Sequence, residues 1–367
     1  MLRPPRSWRP ASGGGRPPVD RGTGQETGGG LDSERYSRQV RFAPIGADGQ
    51  ERLARARVLI LGCGALGAAC AEQLCRSGVG LLRLVDRDFV ESSNLQRQTL
   101  YDEADAAAAL PKAVAAAARL TQINQHCRTE AVVADARPAN LEGLLDGIDL
   151  AIDGTDNFPT RHLLNEACCR RRLPWLYGAC VGAYGLSLPV LPGDGPCLRC
   201  LQDQLPAPGD SPTCDTAGII APIVQLVASW QVADALKILV GARAAVRREL
   251  WACDLWAGTF QRLRVASWRD PACRACGASP DYPLLSAGEE AAVVLCGRDA
   301  VQLQRPAPAD TERLRQRLGA AVVQANDYLV RWRDGALTGT CFRDGRTIVQ
   351  GVADAASARA FCDRWLG

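Results

Sequence analysis

The chain has 367 residues, 47% of them hydrophobic and 23% charged, enough to bury a sizeable core in more than one domain. A net charge of +3 gives no basis for binding nucleic acid or an anionic membrane, and two histidines, His126 and His162, exclude chemistry built on several imidazoles. Sixteen cysteines with no apolar leader ahead of them, many inside apolar runs (Cys63, Cys70, Cys75, Cys168, Cys169), fit reduced thiols in a cytoplasmic protein with a metal site better than a disulfide framework.

Residues 1–30 are rich in Pro, Gly and Arg and lack apolar periodicity, so disorder is expected there. Ser33–Ile45 carries three arginines, and from the residues alone it reads as a solvated amphipathic arm. The stretch that organises the chain follows. Val58–Leu61 is an apolar strand, Gly62-Cys63-Gly64-Ala65-Leu66-Gly67 a glycine turn, and a helix then runs to about Ser77. A second apolar run, Leu81–Val85, ends on Asp86. This βαβ pattern is the glycine fingerprint of dinucleotide binding: glycines allow backbone to approach phosphate, the helix N-terminus favours an anion, and Asp86 stands where a carboxylate can meet ribose hydroxyls.

Phe89–Gln98 is too polar for a strand and reads as a loop at the strand ends. Ala104–Leu120 is alanine-rich, with Pro111 and Lys112 near a helix start. Strands are expected at Arg128–Val133, Leu150–Asp153, Trp175–Tyr177 and Leu186–Val190, with helices at Asn140–Leu145 and Phe158–Arg172. Alternation at this spacing predicts an α/β fold, a mostly parallel Rossmann-like sheet with helices on both faces and ligands at the strand carboxyl ends. Pro192–Thr213 reads as a loop. Ala217–Val240 is apolar almost all round, but Pro222, Gln225, Gln231, Asp234 and Lys237 interrupt it, which favours a buried helix over a membrane span. Leu250–Leu255 and Phe260–Val265 complete the sheet. After a cysteine-containing turn and linker at Pro271–Pro283, residues 284–367 read as a separate small α+β module: a strand at Ala291–Leu295, a charged helix at Asp310–Leu318, strands around Tyr328–Arg333, a hairpin turning at Asp344-Gly345 and a closing helix at Ala353–Leu366.

Cys197-Leu198-Arg199-Cys200 and Cys273-Arg274-Ala275-Cys276 are two CxxC knuckles. Four thiolates make a closed tetrahedral site suited to structural zinc, with no open position for catalysis; a redox CxxC is the competing reading.

Taken in order, Arg35-Tyr36-Ser37-Arg38-Gln39, the glycine turn, Asp86, Ser93-Asn94-Leu95-Gln96-Arg97-Gln98, Lys112, Asp156-Asn157, the paired CxxC and Thr213-Cys214-Asp215-Thr216-Ala217-Gly218 closely resemble the ThiF/MoeB/HesA family, relatives of the ubiquitin-activating enzymes. The resemblance spans about Ser33 to Gly277. It implies a homodimer that uses ATP and Mg²⁺ to adenylate the terminal glycine of a ubiquitin-like sulfur carrier ending in Gly-Gly, for thiamine, molybdopterin or a related pathway. It further implies that Gly62, Gly64, Ala65 and Gly67 line the nucleotide, Asp86 holds the ribose, and Ser93, Asn94, Leu95, Gln96, Arg97 and Lys112 meet the phosphates. Asp156, beside Asn157, would bind Mg²⁺, Arg38 would reach the site from the partner subunit, and Cys214 could take the activated glycine as a thioester or acyl disulfide. Some relatives end in a rhodanese domain, but residues 284–367 show no rhodanese loop. Sulfur would then come from a separate donor, a cysteine desulfurase or rhodanese, and Cys296, Cys341 and Cys362 read as packing residues. An NAD-dependent oxidoreductase fits the glycine turn and Asp86 equally well, and an ATP-dependent tRNA-modifying dehydratase is a rival on the same fold.

Overall fold

A computed structural model describes residues 34–205, 213–287, 292–295, 299–305 and 308–366. The expectation for residues 1–30, residues 206–212 of the Pro-rich loop and Cys296 lie outside these. None of the described helices is long and apolar enough to cross a membrane.

The first sheet has eight strands: β1 Arg57–Leu61, β2 Leu81–Asp86, β3 Arg128–Val133, β4 Leu150–Asp153, β5 Trp175–Val181, β6 Tyr184–Val190, β7 Glu249–Asp254 and β8 Thr259–Arg264. Their order is β3-β2-β1-β4-β5-β6-β7-β8, parallel through β5 and antiparallel beyond it. Side chains of β1 alternate between two cores. Val58 and Ile60 pack with helices Ala65–Arg76 and Ala221–Leu239, whereas Leu59 and Leu61 pack with Pro138–Leu144 and Phe158–Arg171. Burial on both faces is what makes these strands continuous apolar runs in the sequence. Chain direction across the sheet reverses between β1 and β4, and such a switch point opens a crevice at the strand carboxyl ends. Leu61 pairs with Val85 on one side and Asp153 on the other, so the glycine turn, Asp86 and Asp153 all gather at that crevice.

Residues 34–45 correct the reading of a solvated arm. Tyr36 is 4% exposed, and its hydroxyl accepts from Asn124 Nδ2 at 2.8 Å. Gln39 Nε2 donates to Gln50 Oε1 and to the Ser77 carbonyl, at 2.7 and 2.9 Å. Gln50 lies on a helix, Gly46–Arg55, absent from the sequence reading. The segment is pinned at the end of helix Ala65–Arg76, while its arginines, Glu34 and Phe42 stay exposed.

The second sheet is antiparallel: β9 Ala292–Leu295, β10 Ala300–Gln304, β11 Val322–Ala325, β12 Leu329–Asp334, β13 Leu337–Phe342 and β14 Arg346–Gln350, in the order β11-β12-β13-β14-β10-β9. Helices Thr311–Leu318 and Ala355–Leu366 cover its outer face, where Trp332 stacks on Phe361 with centroids 5.7 Å apart. Its inner face, carrying Ala300, Leu329, Phe342 and Ile348, packs on Phe89 and Ala109 beside the crevice of the first sheet. The segment before it is no free linker either. Helix Pro283–Ser286 is anchored by Glu166 Oε2, which accepts from the amides of Leu284 and Leu285 at 2.8 and 3.1 Å. Cys341 and Cys362 are buried in the module's own core, as expected of packing thiols.

Candidate nucleotide site and metal centre

Gly62 takes φ +87, where a side chain is strained, and a Cβ there would meet the Gly154 carbonyl oxygen at 2.7 Å. A Cβ on Gly67 would fall 1.8 Å from the Gly62 oxygen, and one on Gly154 would fall 2.4 Å from the same atom. The β1 turn, the helix behind it and the end of β4 are thus packed backbone on backbone. Gly64 differs: a Cβ there would meet nothing nearer than 3.9 Å, so its face of the turn is open. Gly64 precedes Ala65, the first residue of helix Ala65–Arg76, whose first-turn amides have no intrahelical acceptor. Beside it lies Gln98, buried, with Oε1 lacking a partner among the described residues. An open glycine cradle, uncommitted amides and an orphaned acceptor are what a nucleotide site needs, and the residues fit.

Asp86 ends β2 with both carboxylate oxygens directed: Oδ2 accepts from the Cys63 amide at 2.6 Å and Oδ1 from the Asp88 amide at 2.7 Å. Burial raises its pKa, and the nearby charge of Lys112 opposes the rise. Lys112 opens helix Lys112–Ile123 and is itself buried, with Nζ 3.8 Å from Asp88 Oδ2. Tyr101, which the sequence reading passed over, donates its hydroxyl toward the Cys63 carbonyl at 2.6 Å and lies 3.2 Å from that of Lys112. It ties the glycine turn to the lysine helix. No local signal marks it, since both partners come from elsewhere in the chain.

The Ser93–Gln98 stretch forms a single 3₁₀ turn, Ser92–Asn94, followed by tight turns. Asn94 is buried, its Oδ1 accepting from the Glu91 amide at 3.3 Å. Arg97 Nη1 donates to the Ser93 carbonyl at 2.9 Å, Ser93 and Gln96 are exposed, and Leu95 packs against the core. Across the crevice Asp156 is exposed, while Asn157 caps helix Phe158–Arg171 by accepting from the Thr160 amide at 3.0 Å. The turn that carries them is held by a pair absent from the sequence reading. Asp153, fully buried, accepts from Arg161 Nε at 3.0 Å and from the Thr155 amide and hydroxyl at 2.9 and 2.7 Å. Arg161 also donates to the Thr155 carbonyl at 2.7 Å. Arg38 is exposed on the opening helix, Ser37–Val40. Cys214 opens a short helix, Cys214–Ala217, half-buried with Sγ 3.7 Å from the Cys180 carbonyl on β5.

Sγ atoms of Cys197, Cys200, Cys273 and Cys276 all lie within 4.8 Å of one another. The Asp270 and Ala275 amides and Asn165 Nδ2 approach three of the sulfurs at 3.5 Å each, as suits thiolates. Four sulfurs clustered this way, with N–H donors around them, could hold a zinc ion.

The ThiF family profile matches residues 36–275. The chain is 46% identical to the sulfur carrier protein ThiS adenylyltransferase of Bacillus subtilis (strain 168) over 338 residues, 91% of this chain and 99% of that one. That match is too long to fit within residues 1–275, so it takes in the second sheet. Identity to the sulfur carrier protein adenylyltransferase of Thermus thermophilus is 38% over 252 residues, 67% of this chain and 92% of that one. In fold, the chain resembles the crystal structure of E. coli MccB with ATP, with TM-score 0.58 at 22% identity over 67% of this chain and 75% of that one. The glycine cradle, the carboxylate ending β2 and three of the four clustered cysteines (Cys197, Cys200 and Cys273) lie in the matched region, Cys276 falls just past its end, and the chain belongs to the ThiF family.

Proposed function

We propose that the protein is an ATP-dependent adenylyltransferase acting on the C-terminal glycine of a ubiquitin-like sulfur carrier that ends in Gly-Gly. The observation that carries this reading is 46% identity, along nearly the full length of both chains, to an enzyme named as the adenylyltransferase of the sulfur carrier protein ThiS. The crevice supplies the chemistry. A carrier carboxylate oxygen bonds to the α-phosphorus of ATP, the bond to the β-phosphate oxygen breaks, and pyrophosphate leaves with that electron pair. Mutual repulsion of anions is the main barrier, so fixed cations are the remedy.

In this reading the turn amides and Gly64 receive the nucleotide, and Asp86 accepts from the ribose hydroxyls through the lone pairs its two amide bonds leave over. Lys112, Arg97 and Asn94 meet the phosphates, with Arg38 contributed by the partner of a homodimer. Asp156 would hold Mg²⁺, a hard cation that supplies charge neutralisation at the phosphates. Zinc at the four cysteines would be structural. Cys214 is the candidate acceptor of the activated glycyl group, and a separate desulfurase or rhodanese would supply sulfur. We assign residues 31–283 to the adenylylating unit and 284–367 to a second unit. The reaction would take place in the cytoplasm.

An NAD-dependent oxidoreductase would need neither Lys112 nor Arg97 at the strand ends. Incubation with ATP, Mg²⁺ and a Gly-Gly carrier should increase the carrier's mass by one AMP. Tight NAD binding without ATP affinity would reverse the assignment.

A further inference from the structure

The inner face of the second sheet is polar where it meets the two loops that carry Asp86, Asp88 and Lys112. Arg346, the first residue of β14, is fully buried, with its guanidinium 3.9 Å over the Phe342 ring. Its Nη2 donates to the Arg87 carbonyl at 2.5 Å, and Nε lies 3.4 Å from Asp344. Burial lowers its pKa, against the opposing charges of Asp344, Asp135 and Asp88. Gln302 donates to Asp135 Oδ2 at 2.7 Å, and Asp135 Oδ1 lies 3.4 Å from Arg87.

The other loop is held in the same manner. Asn326 Nδ2 donates to the carbonyls of Ala108 and Ala109 at 3.0 and 3.2 Å, and Gln324 Nε2 donates to that of Ala107 at 2.7 Å. The Ala107 carbonyl ends helix Glu103–Ala107 and those of Ala108 and Ala109 follow it, beyond the reach of an intrahelical donor. Ala109 stands at φ +43, a left-handed conformation that alanine rarely takes, three residues before Lys112. Between the two held points the loops pair directly: the Val90 amide donates to Leu110 and the Lys112 amide to Asp88, both at 2.9 Å. A seam that only buried apolar area would have no use for a fully buried guanidinium, whose desolvation is costly. Donors aimed at main-chain carbonyls fix where the chain runs.

We propose that the second sheet clamps the two nucleotide-binding loops, with Arg346 and Asn326 as positioning residues that set Asp86 and Lys112 for ATP. The inference rests on the reading of that crevice as an ATP site. It is tested with the full chain and three substitutions at these two positions. Asn326→Asp keeps the Oδ1 that accepts from the Tyr328 and Leu329 amides, so the local turn survives while the donor to Ala108 and Ala109 is lost. Arg346→Lys keeps the charge and shortens the reach.

Titration with ATP should show about three- to tenfold weaker binding for Asn326→Asp, the loss expected of one or two hydrogen bonds. KM for ATP should rise while KM for the carrier, and kcat at saturating ATP, hold. Arg346→Lys should weaken ATP binding too, but less than Arg346→Met. Amide exchange at Val90 and Lys112, measured well below the melting transition, should quicken in Asn326→Asp while exchange in β1 stays unchanged. Binding of ATP by the wild type with unaltered affinity in Asn326→Asp and Arg346→Met would overturn the clamp and leave the proposed function standing. Failure of the wild type itself to bind ATP would overturn both.

Discussion

The α-carbon of Gly67 is packed so closely on the Gly62 carbonyl that a Cβ would sit 1.8 Å from its oxygen, whereas a Cβ on Gly64 would come no nearer than 3.9 Å to any neighbour. Two glycines of one motif therefore serve different ends. Gly67→Ala must push the helix off β1 and is expected to destabilise the fold by about 3 kcal/mol, as severe overpacking does. Gly64→Ala, at a φ of −72 that alanine accepts, should leave stability within about 0.5 kcal/mol, as for a substitution that makes only ordinary contacts, yet obstruct nucleotide binding. Urea unfolding and ATP titration on both variants separate the two roles.

Arg161 and Asp153 form a buried pair at 3.0 Å, with the guanidinium also set between the rings of Phe158 and Tyr177 at 5.4 and 5.5 Å. Removing one partner strands the other charge, so Arg161→Met should lose about 3–5 kcal/mol. The exposed Arg170–Glu142 pair is the contrast, and Arg170→Ala should cost under about 1 kcal/mol. Chemical denaturation reads both.

Asp86 carries a pKa raised by burial and restrained by Lys112. Its ionised form is the one that accepts from the Cys63 and Asp88 amides and would accept from a ribose hydroxyl. ATP binding should accordingly weaken as pH falls through the raised pKa and the carboxylate takes a proton. Lys112→Met removes the restraint and raises the pKa further. The acid limb of the affinity–pH profile should therefore move to higher pH, apart from the overall loss caused by the missing cation. An acid limb that stays in place would contradict the coupling.

Metal removal should act on the fold and spare the site. The cysteine cluster joins the Cys197–Cys200 segment to Cys273–Cys276, and structural zinc can contribute on the order of 10 kcal/mol. Metal analysis should find one zinc per chain. Cys273→Ser or a strong chelator should lower the melting temperature sharply, while ATP still binds to whatever remains folded at low temperature.

The parts of this architecture legible in the sequence are those with a strong local period. Arg128–Val133 and Leu150–Asp153 have the bounds read from the residues, and the βαβ unit at the glycine turn declares itself by two apolar runs around three glycines. The four cysteines were legible because CxxC spacing is dictated by the geometry of a tetrahedral site. What escaped depends on distant partners. Tyr36 lies among arginines with no periodicity, and its partner Asn124 is 88 residues away. Arg161 sits in a helix buried on nearly every side, so no polar face singles it out. Strands β10 and β11, of five and four residues, are too short for alternation to show, and Arg346 reads as an ordinary charge after a hairpin turn. Its partner, the Arg87 carbonyl, is 259 residues away.

Exchange of labelled pyrophosphate into ATP tests the central claim most directly, because it reports reversible formation of an acyl adenylate independently of any later sulfur step. With Mg²⁺ present, exchange should require a ubiquitin-like carrier ending in Gly-Gly, vanish when the terminal glycine is deleted, and persist in Cys214→Ala. Exchange that ignores the carrier, or fails with every Gly-Gly carrier while the zinc-loaded chain is folded, would contradict the account.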